Sequence, residues 1–104
     1  MTVYGYARVR TSQDLEAQIQ ALKDAGATEI RHEKVTGTST KDRTEFKRLL
    51  NELKAGDTLV VTKLDRFARS AEDAITIIKA LVKRDVRVHI LNMGVADNTP
   101  MGRF

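Results

Sequence analysis

Thr58-Leu59-Val60-Val61-Thr62 is the stretch that most narrows what this chain can fold into. A strand with one wet face alternates apolar and polar residues. An unbroken aliphatic run belongs instead to a strand covered on both faces, as in the middle of a parallel sheet. Such a sheet needs helices on both faces, and the flanking sequence supplies them. Val3-Tyr4-Gly5-Tyr6-Ala7-Arg8-Val9 is a second short apolar run. Leu15, Ile19 and Leu22 then recur at helical spacing and Gly26 follows as a stop, which predicts a helix over 13–25. Glu29-Ile30-Arg31-His32-Glu33 reads as a weaker strand. Asp42 reads as an N-cap with Glu45 three residues on, and Phe46, Leu49, Leu50 and Leu53 form the apolar stripe of a second helix. A third helix near 70–84 turns Ile75, Ile78, Leu81 and Val82 inward and leads into the strand Val86-Arg87-Val88-His89-Ile90-Leu91. This βαβαβαβ order predicts a single α/β domain over 1–104, a mostly parallel sheet with helices on both faces.

Composition removes several classes of function. The chain has no cysteine, so it has no disulfide framework and no thiolate nucleophile or ligand. Its two histidines, His32 and His89, lie far apart and outside any ligand spacing, so no metal site is expected. No apolar run approaches the roughly 20 residues of a membrane span, and no signal-peptide segment opens the chain. The expectation is a cytoplasmic protein without cofactor, membrane or small-molecule partner. A net charge of +4 suits an anionic partner.

In a parallel α/β sheet, ligands gather outside the carboxyl ends of the strands. Three polar clusters converge there. The first follows strand one, Arg8-Val9-Arg10-Thr11-Ser12-Gln13, where strand alternation puts Arg8, Arg10 and Ser12 on one side. The second is the hydroxyl-rich loop Thr36-Gly37-Thr38-Ser39-Thr40-Lys41 with Arg43. The third, Lys63-Leu64-Asp65-Arg66-Phe67-Ala68-Arg69-Ser70, follows the most apolar strand, and Arg66 and Arg69 share a face of a helical turn. Guanidiniums bind phosphate oxygens bidentately, so several together can neutralise a phosphoryl transition state without a metal.

These segments, with Thr99-Pro100-Met101-Gly102-Arg103-Phe104, resemble in order the catalytic domain of the resolvase/invertase serine recombinases. The resemblance covers the whole chain. It implies a resolvase-like core that cuts and rejoins DNA through a 5′-phosphoserine link, without metal or ATP. It also implies dimers that synapse into tetramers in a prokaryotic, nucleoid-associated setting. The family continues into a long interface helix and a helix-turn-helix DNA-binding domain, and this chain stops where that helix is expected to start. Carried over position by position, Arg8 matches the first-strand arginine, and Arg66 and Arg69 match the pair that clamps the scissile phosphate. Asp65 matches the acid that positions them, Arg43 the arginine after the loop, and Thr36 a small hydroxyl position. Gln13 lies near the family's active-site glutamine, in a stretch about one residue shorter than the family pattern.

Position 10 departs from that pattern. The family reads Arg-Val-Ser-Thr with the serine as nucleophile, and this chain reads Arg8-Val9-Arg10-Thr11. A guanidinium stays protonated and is no nucleophile. Ser12 is the nearest substitute hydroxyl, two residues or about 6–7 Å further along an extended strand. Thr11 lies on the opposite face. Two readings of function therefore stand: a DNA strand transferase, or a recombinase-derived module that binds DNA or a partner subunit without chemistry. An unrelated receiver-like or flavodoxin-like domain fits less well, because the acidic cluster and the glycine-rich phosphate loop are missing. Taken singly the residues have plainer roles. Tyr4, Tyr6 and Phe67 pack, Asp65 caps the following helix, the histidines are ordinary strand residues, and Met93 and Met101 sit at the surface or an interface.

Overall fold

The computed structural model describes residues 2–34, 44–63, 67–68 and 70–96. In chain order the elements are β1 (Val3–Val9), α1 (Ser12–Asp24), β2 (Glu29–Lys34), α2 (Thr44–Glu52), β3 (Thr58–Val61), α3 (Ala71–Lys83), β4 (Arg87–Ile90) and β5 (Gly94–Ala96). They form one sheet of five strands in the order β2-β1-β3-β4-β5. The pairs β1–β2, β1–β3 and β3–β4 are parallel, and β5 returns antiparallel to β4. The α/β architecture read from the sequence is the observed one, with β5 added. Three residues with a glycine at their head carry no periodicity, so β5 leaves no signal in the sequence.

Both faces of the sheet are covered, which is why β3 carries the unbroken apolar run Leu59-Val60-Val61. On one face Tyr6, Leu59, Val61, Val88 and Ile90 meet Phe46, Leu49 and Leu53 from α2 and its end, and Ala74 and Leu81 from α3. On the other face Ala7, Val9 and Val60 meet Leu22 of α1. This second core is thin, and α1 lies close on β1. A Cβ added at Gly5 would come within 3.1 Å of Leu22 Cδ1 and 3.2 Å of the Ala27 Cβ.

Ile78, Leu81 and Val82 of α3 face the core as expected, and one residue of the expected inward set needs a correction. Ile75 is 52% exposed, and Ala74, at 1%, takes the inward position. The buried line runs through Ala74, Ile77, Ile78 and Leu81, an i, i+3, i+4, i+7 stripe that begins on a residue small enough for close approach to the sheet. The hydroxyl of Ser70 caps α3, accepting from the Asp73 N–H at 3.1 Å, while the cap expected at Asp65 lies outside the described residues.

The two long helices stop in the same way with different residues. After α1, the Gly26 N–H reaches the Lys23 carbonyl at 2.9 Å and the Ala27 N–H reaches Leu22 at 3.0 Å, with Gly26 at φ +99°. After α3, the same pair of bonds runs from Asp85 to Val82 and from Val86 to Leu81, with Asp85 at φ +63°. At the amino edge of the sheet the buried Asp57 carboxylate accepts the N–H groups of Thr2 and Lys54, each at 2.9 Å. Those bonds hold its pKa below the ordinary 3.8, against the opposing effect of burial. Nearby, the Arg84 guanidinium donates to the carbonyls of Leu50 at 2.9 Å and Leu53 at 2.5 Å, closing the end of α2.

Candidate phosphate-binding edge

Four parallel strands deliver their carboxyl ends to one edge. From β1 the chain crosses to β2 with α1 on one face. From β3 it crosses the other way to β4 with α3 on the opposite face. The neighbours β1 and β3 are therefore the place where connections diverge, and a crevice at their carboxyl ends is the natural ligand site. Arg8 and Arg10 stand at the end of β1, Lys34 ends β2, and Lys63 follows β3. Thr36, Arg43, Asp65, Arg66 and Arg69, the loop 36–41, the Asp42 cap and Met101 lie outside the described residues.

The structure joins the segments beneath this edge through three rings. Tyr6, two residues before Arg8, packs on Phe46 with ring centroids 4.8 Å apart, and Phe46 packs on Phe67 at 5.8 Å. All three side chains are fully buried. Phe46 lies in the first turn of α2, and Phe67 lies between sequence positions 66 and 69. The packing role expected for Tyr6 and Phe67 is thus observed, and it gives the polar edge an apolar floor.

Glu33 organises the polar layer above that floor. Its carboxylate accepts the Tyr6 hydroxyl and the N–H groups of Glu45 at 3.1 Å and Phe46 at 3.3 Å. A carboxylate at the open N–H groups of a helix start is favourable both as a hydrogen-bond acceptor and against the helix dipole. Because Glu33 precedes 35–43 and Glu45 follows it, this one side chain ties the two ends of that segment together. Arg8 stands opposite Glu33 in the β1–β2 register, half-buried, with its Nη1 out of contact with solvent. Sequence reasoning misses Glu33 because its partners come from two other elements.

The turn after β1 differs from a continued strand. Extended structure ends at Val9, so the expected alternation of Arg8, Arg10 and Ser12 on one face stops before Ser12. Arg10 is exposed. Thr11 is the N-cap of α1, with its hydroxyl accepting from the Asp14 N–H at 3.1 Å. Ser12 and Gln13 are exposed residues of the first helical turn. The glutamine that approaches β1 is Gln18, 5% exposed, whose Nε2 donates to the Arg8 carbonyl at 3.2 Å and to Asp14 Oδ2 at 3.1 Å. A signal for it is present, since Gln18 falls on the inward line of Leu15 and Leu22, where a polar residue is out of place.

Among the described residues no three His, Cys, Asp or Glu side chains cluster as metal ligands, and no helix is long and apolar enough to cross a membrane. What the edge offers is fixed guanidinium charge on a rigid strand, the arrangement suited to an anionic oxyacid. A mostly parallel sheet whose connections diverge between β1 and β3, with Arg8 and Arg10 at that edge, defines the class of open α/β domains whose ligand sites lie at the carboxyl ends of the strands.

Comparison with known proteins narrows that class. Residues 3–104 match the resolvase N-terminal domain, and the chain belongs to this family. It is 43% identical over 101 residues to the serine recombinase Gin of Escherichia phage Mu, covering 96% of this chain and 52% of that protein. It is 42% identical over 107 residues to the transposon Tn3 resolvase of Escherichia coli, covering 100% of this chain and 57% of the resolvase. The chain thus spans about half the length of these curated relatives. A crystal structure of a resolvase-family site-specific recombinase from Streptococcus pneumoniae superposes with a TM-score of 0.74 at 27% identity, covering 90% of this chain and 74% of that one. A serine recombinase from Sulfolobus solfataricus shares the fold, with a TM-score of 0.65 at 24% identity over 88% of this chain and 70% of that one.

Proposed function

We propose that this chain is the catalytic domain of a site-specific DNA recombinase whose nucleophile position is occupied by Arg10, so that it holds a DNA phosphodiester without cutting it. The observation that carries this reading is the placement of Arg10 itself. It stands exposed at the carboxyl end of β1, two residues beyond Arg8, where the family pattern has its serine. In the active form of the reaction a serine oxygen attacks the scissile phosphorus. A phosphoserine bond forms, the bond to the 3′ oxygen breaks, and the 3′-hydroxyl leaves with a proton. Arg8, Arg43, Arg66 and Arg69 neutralise the phosphoryl oxygens, and Asp65 orients the clamp. Thr36 and Gln13 complete the polar rim.

Neither neighbouring hydroxyl takes over the attack in this reading. Thr11 is committed to the α1 cap, and Ser12 has left the strand for the helix. Displacement of a reacting atom by about 1 Å already costs on the order of a hundredfold in rate, and Ser12 is further away than that. Arg10 instead adds a guanidinium to the phosphate site. Dimeric and synaptic tetrameric assembly and a cytoplasmic, nucleoid-associated location follow from the same reading.

The test is a nicked suicide duplex carrying the crossover site, incubated with the full natural chain. The unmodified protein gives no covalent adduct, and Arg10→Ser gives one. An adduct at Ser12 in the unmodified protein overturns the assignment of Arg10 as disabling. No adduct in either form favours the second reading, a binding module without latent chemistry. DNA binding by residues 1–104 is expected to be weak, indifferent to sequence and steeply weakened by salt.

A further inference from the structure

We infer that Gln18, with Asp14, is a positioning residue that sets the turn presenting residue 10 to the phosphate. The proposal rests on the functional reading above for the consequence at position 10, but the bracket itself is a property of the fold. Gln18 is buried on the thin side of the sheet, with a relative exposure of 5%. Its amide is oriented by two acceptors, the Arg8 carbonyl at 3.2 Å and Asp14 Oδ2 at 3.1 Å. A flipped amide would set its oxygen against both, so the assignment of nitrogen is fixed by the network. The first acceptor belongs to the end of the strand just before position 10. The second belongs to the first turn of α1, whose Asp14 N–H is in turn held by Thr11. Gln18 therefore spans the turn 10–13 from below and fastens both of its ends.

This arrangement carries an energetic cost. The remaining polar atom, Gln18 Oε1, is buried and has no hydrogen-bond partner among the described residues. An apolar residue on this stripe beside Leu15 and Leu22 would avoid that loss, because a buried acceptor left unsatisfied is destabilising. A core position that keeps an incompletely satisfied amide is one where geometry outweighs stability. The geometry at stake is the path of the chain between Arg8 and α1. Rotation or lengthening of that path moves residue 10 while leaving Arg8, fastened in β1 between its neighbours, in place.

Two measurements test the bracket, one independent of chemistry. In the unmodified chain, Gln18→Met keeps the side-chain length and removes both donated bonds. Amide exchange at Asp14 and Leu15, whose N–H groups bond to Thr11, is expected to quicken by roughly tenfold or more. Exchange at Tyr6 and Leu22 stays as before. Equal protection at Asp14 and Leu15 in both proteins overturns the bracket. In the Arg10→Ser background, adding Gln18→Met is expected to slow adduct formation by roughly tenfold or more without changing the salt dependence of DNA binding. Adding Gln20→Met on the exposed face instead leaves the rate unchanged. An unchanged rate with Gln18→Met overturns the positioning role. Should Arg10→Ser alone form no adduct, the functional reading fails and the exchange result still decides the bracket.

Discussion

The two edges of this sheet are built on opposite plans. At the amino edge Asp57, Arg84 and Gly56 all close on backbone. Asp57 takes the N–H groups of Thr2 and Lys54, Arg84 takes two carbonyls at the end of α2, and the Gly56 N–H meets the Asp85 carbonyl at 2.9 Å. At the carboxyl edge two bonds run from side chain to side chain, Tyr6 to Glu33 and Gln18 to Asp14, and the same Glu33 and Gln18 also reach backbone at the start of α2 and at Arg8. Charges at the amino edge complete the fold. Those at the carboxyl edge include Arg8, half-buried opposite Glu33, and the exposed Arg10.

The sharpest way to break this contrast is Phe46→Ala. Phe46 bridges Tyr6 and Phe67 under the carboxyl edge, and its loss is expected to cost about 3–5 kcal/mol in urea unfolding, in line with large-to-small changes at buried aromatics. A loss below about 1 kcal/mol would mean the floor does not bind the segments together. Next in size is Glu33→Ala, which leaves the Tyr6 hydroxyl and two N–H groups of α2 without their acceptor. About 2–3 kcal/mol is expected, with faster amide exchange at Glu45 and Phe46 and no change at the amino edge.

Asp57→Asn probes the other edge and is expected to cost about 1–2 kcal/mol at neutral pH. The folded pKa of Asp57 lies below the unfolded value near 3.8, so the stabilisation is complete above that value. It drains away as pH falls from there through the folded pKa. The stability difference between the unmodified protein and the Asp57→Asn variant should therefore shrink on acidification below 3.8, and a difference independent of pH would contradict the cause assigned. The smallest effect is a gain. Asp85→Gly relieves a left-handed backbone and should stabilise by about 0.5–1 kcal/mol in the same unfolding assay. No gain would show that Asp85 compensates its conformation by a local bond.

The sheet and its helices are legible in the sequence because they rest on local periodicity. The run Leu59-Val60-Val61 demands two covers, and Leu15–Leu22 and Phe46–Leu53 supply them at helical spacing. In α3 the inward set Ile78, Leu81 and Val82 is legible and Ile75 is not, because Ile75 looks more like core than Ala74 and only contact with the sheet shows that the smaller residue must face it. Of the candidate site, the placement of Arg8 and Arg10 at the end of β1 is legible in the sequence, and what supports them is not. Glu33 reads as one more strand-end charge until its partners on β1 and α2 are in place. Gln13 draws attention because it lies near the family's active-site glutamine, while the inward stripe of α1 puts Gln18 beneath β1. Ser12 shares a face with Arg10 only if the strand continues past Val9, and it does not.

The pinning of Thr2 by Asp57 has a practical consequence. The chain enters β1 at the amino edge and needs its seven residues, about 23 Å of strand at roughly 3.3 Å each, to reach the arginines. Anything fused ahead of Thr2, whether a fluorophore or a surface tether, is therefore delivered to the side of the domain facing away from Arg8 and Arg10. That geometry makes the amino end a natural handle for attaching this domain without obstructing the carboxyl edge of the sheet.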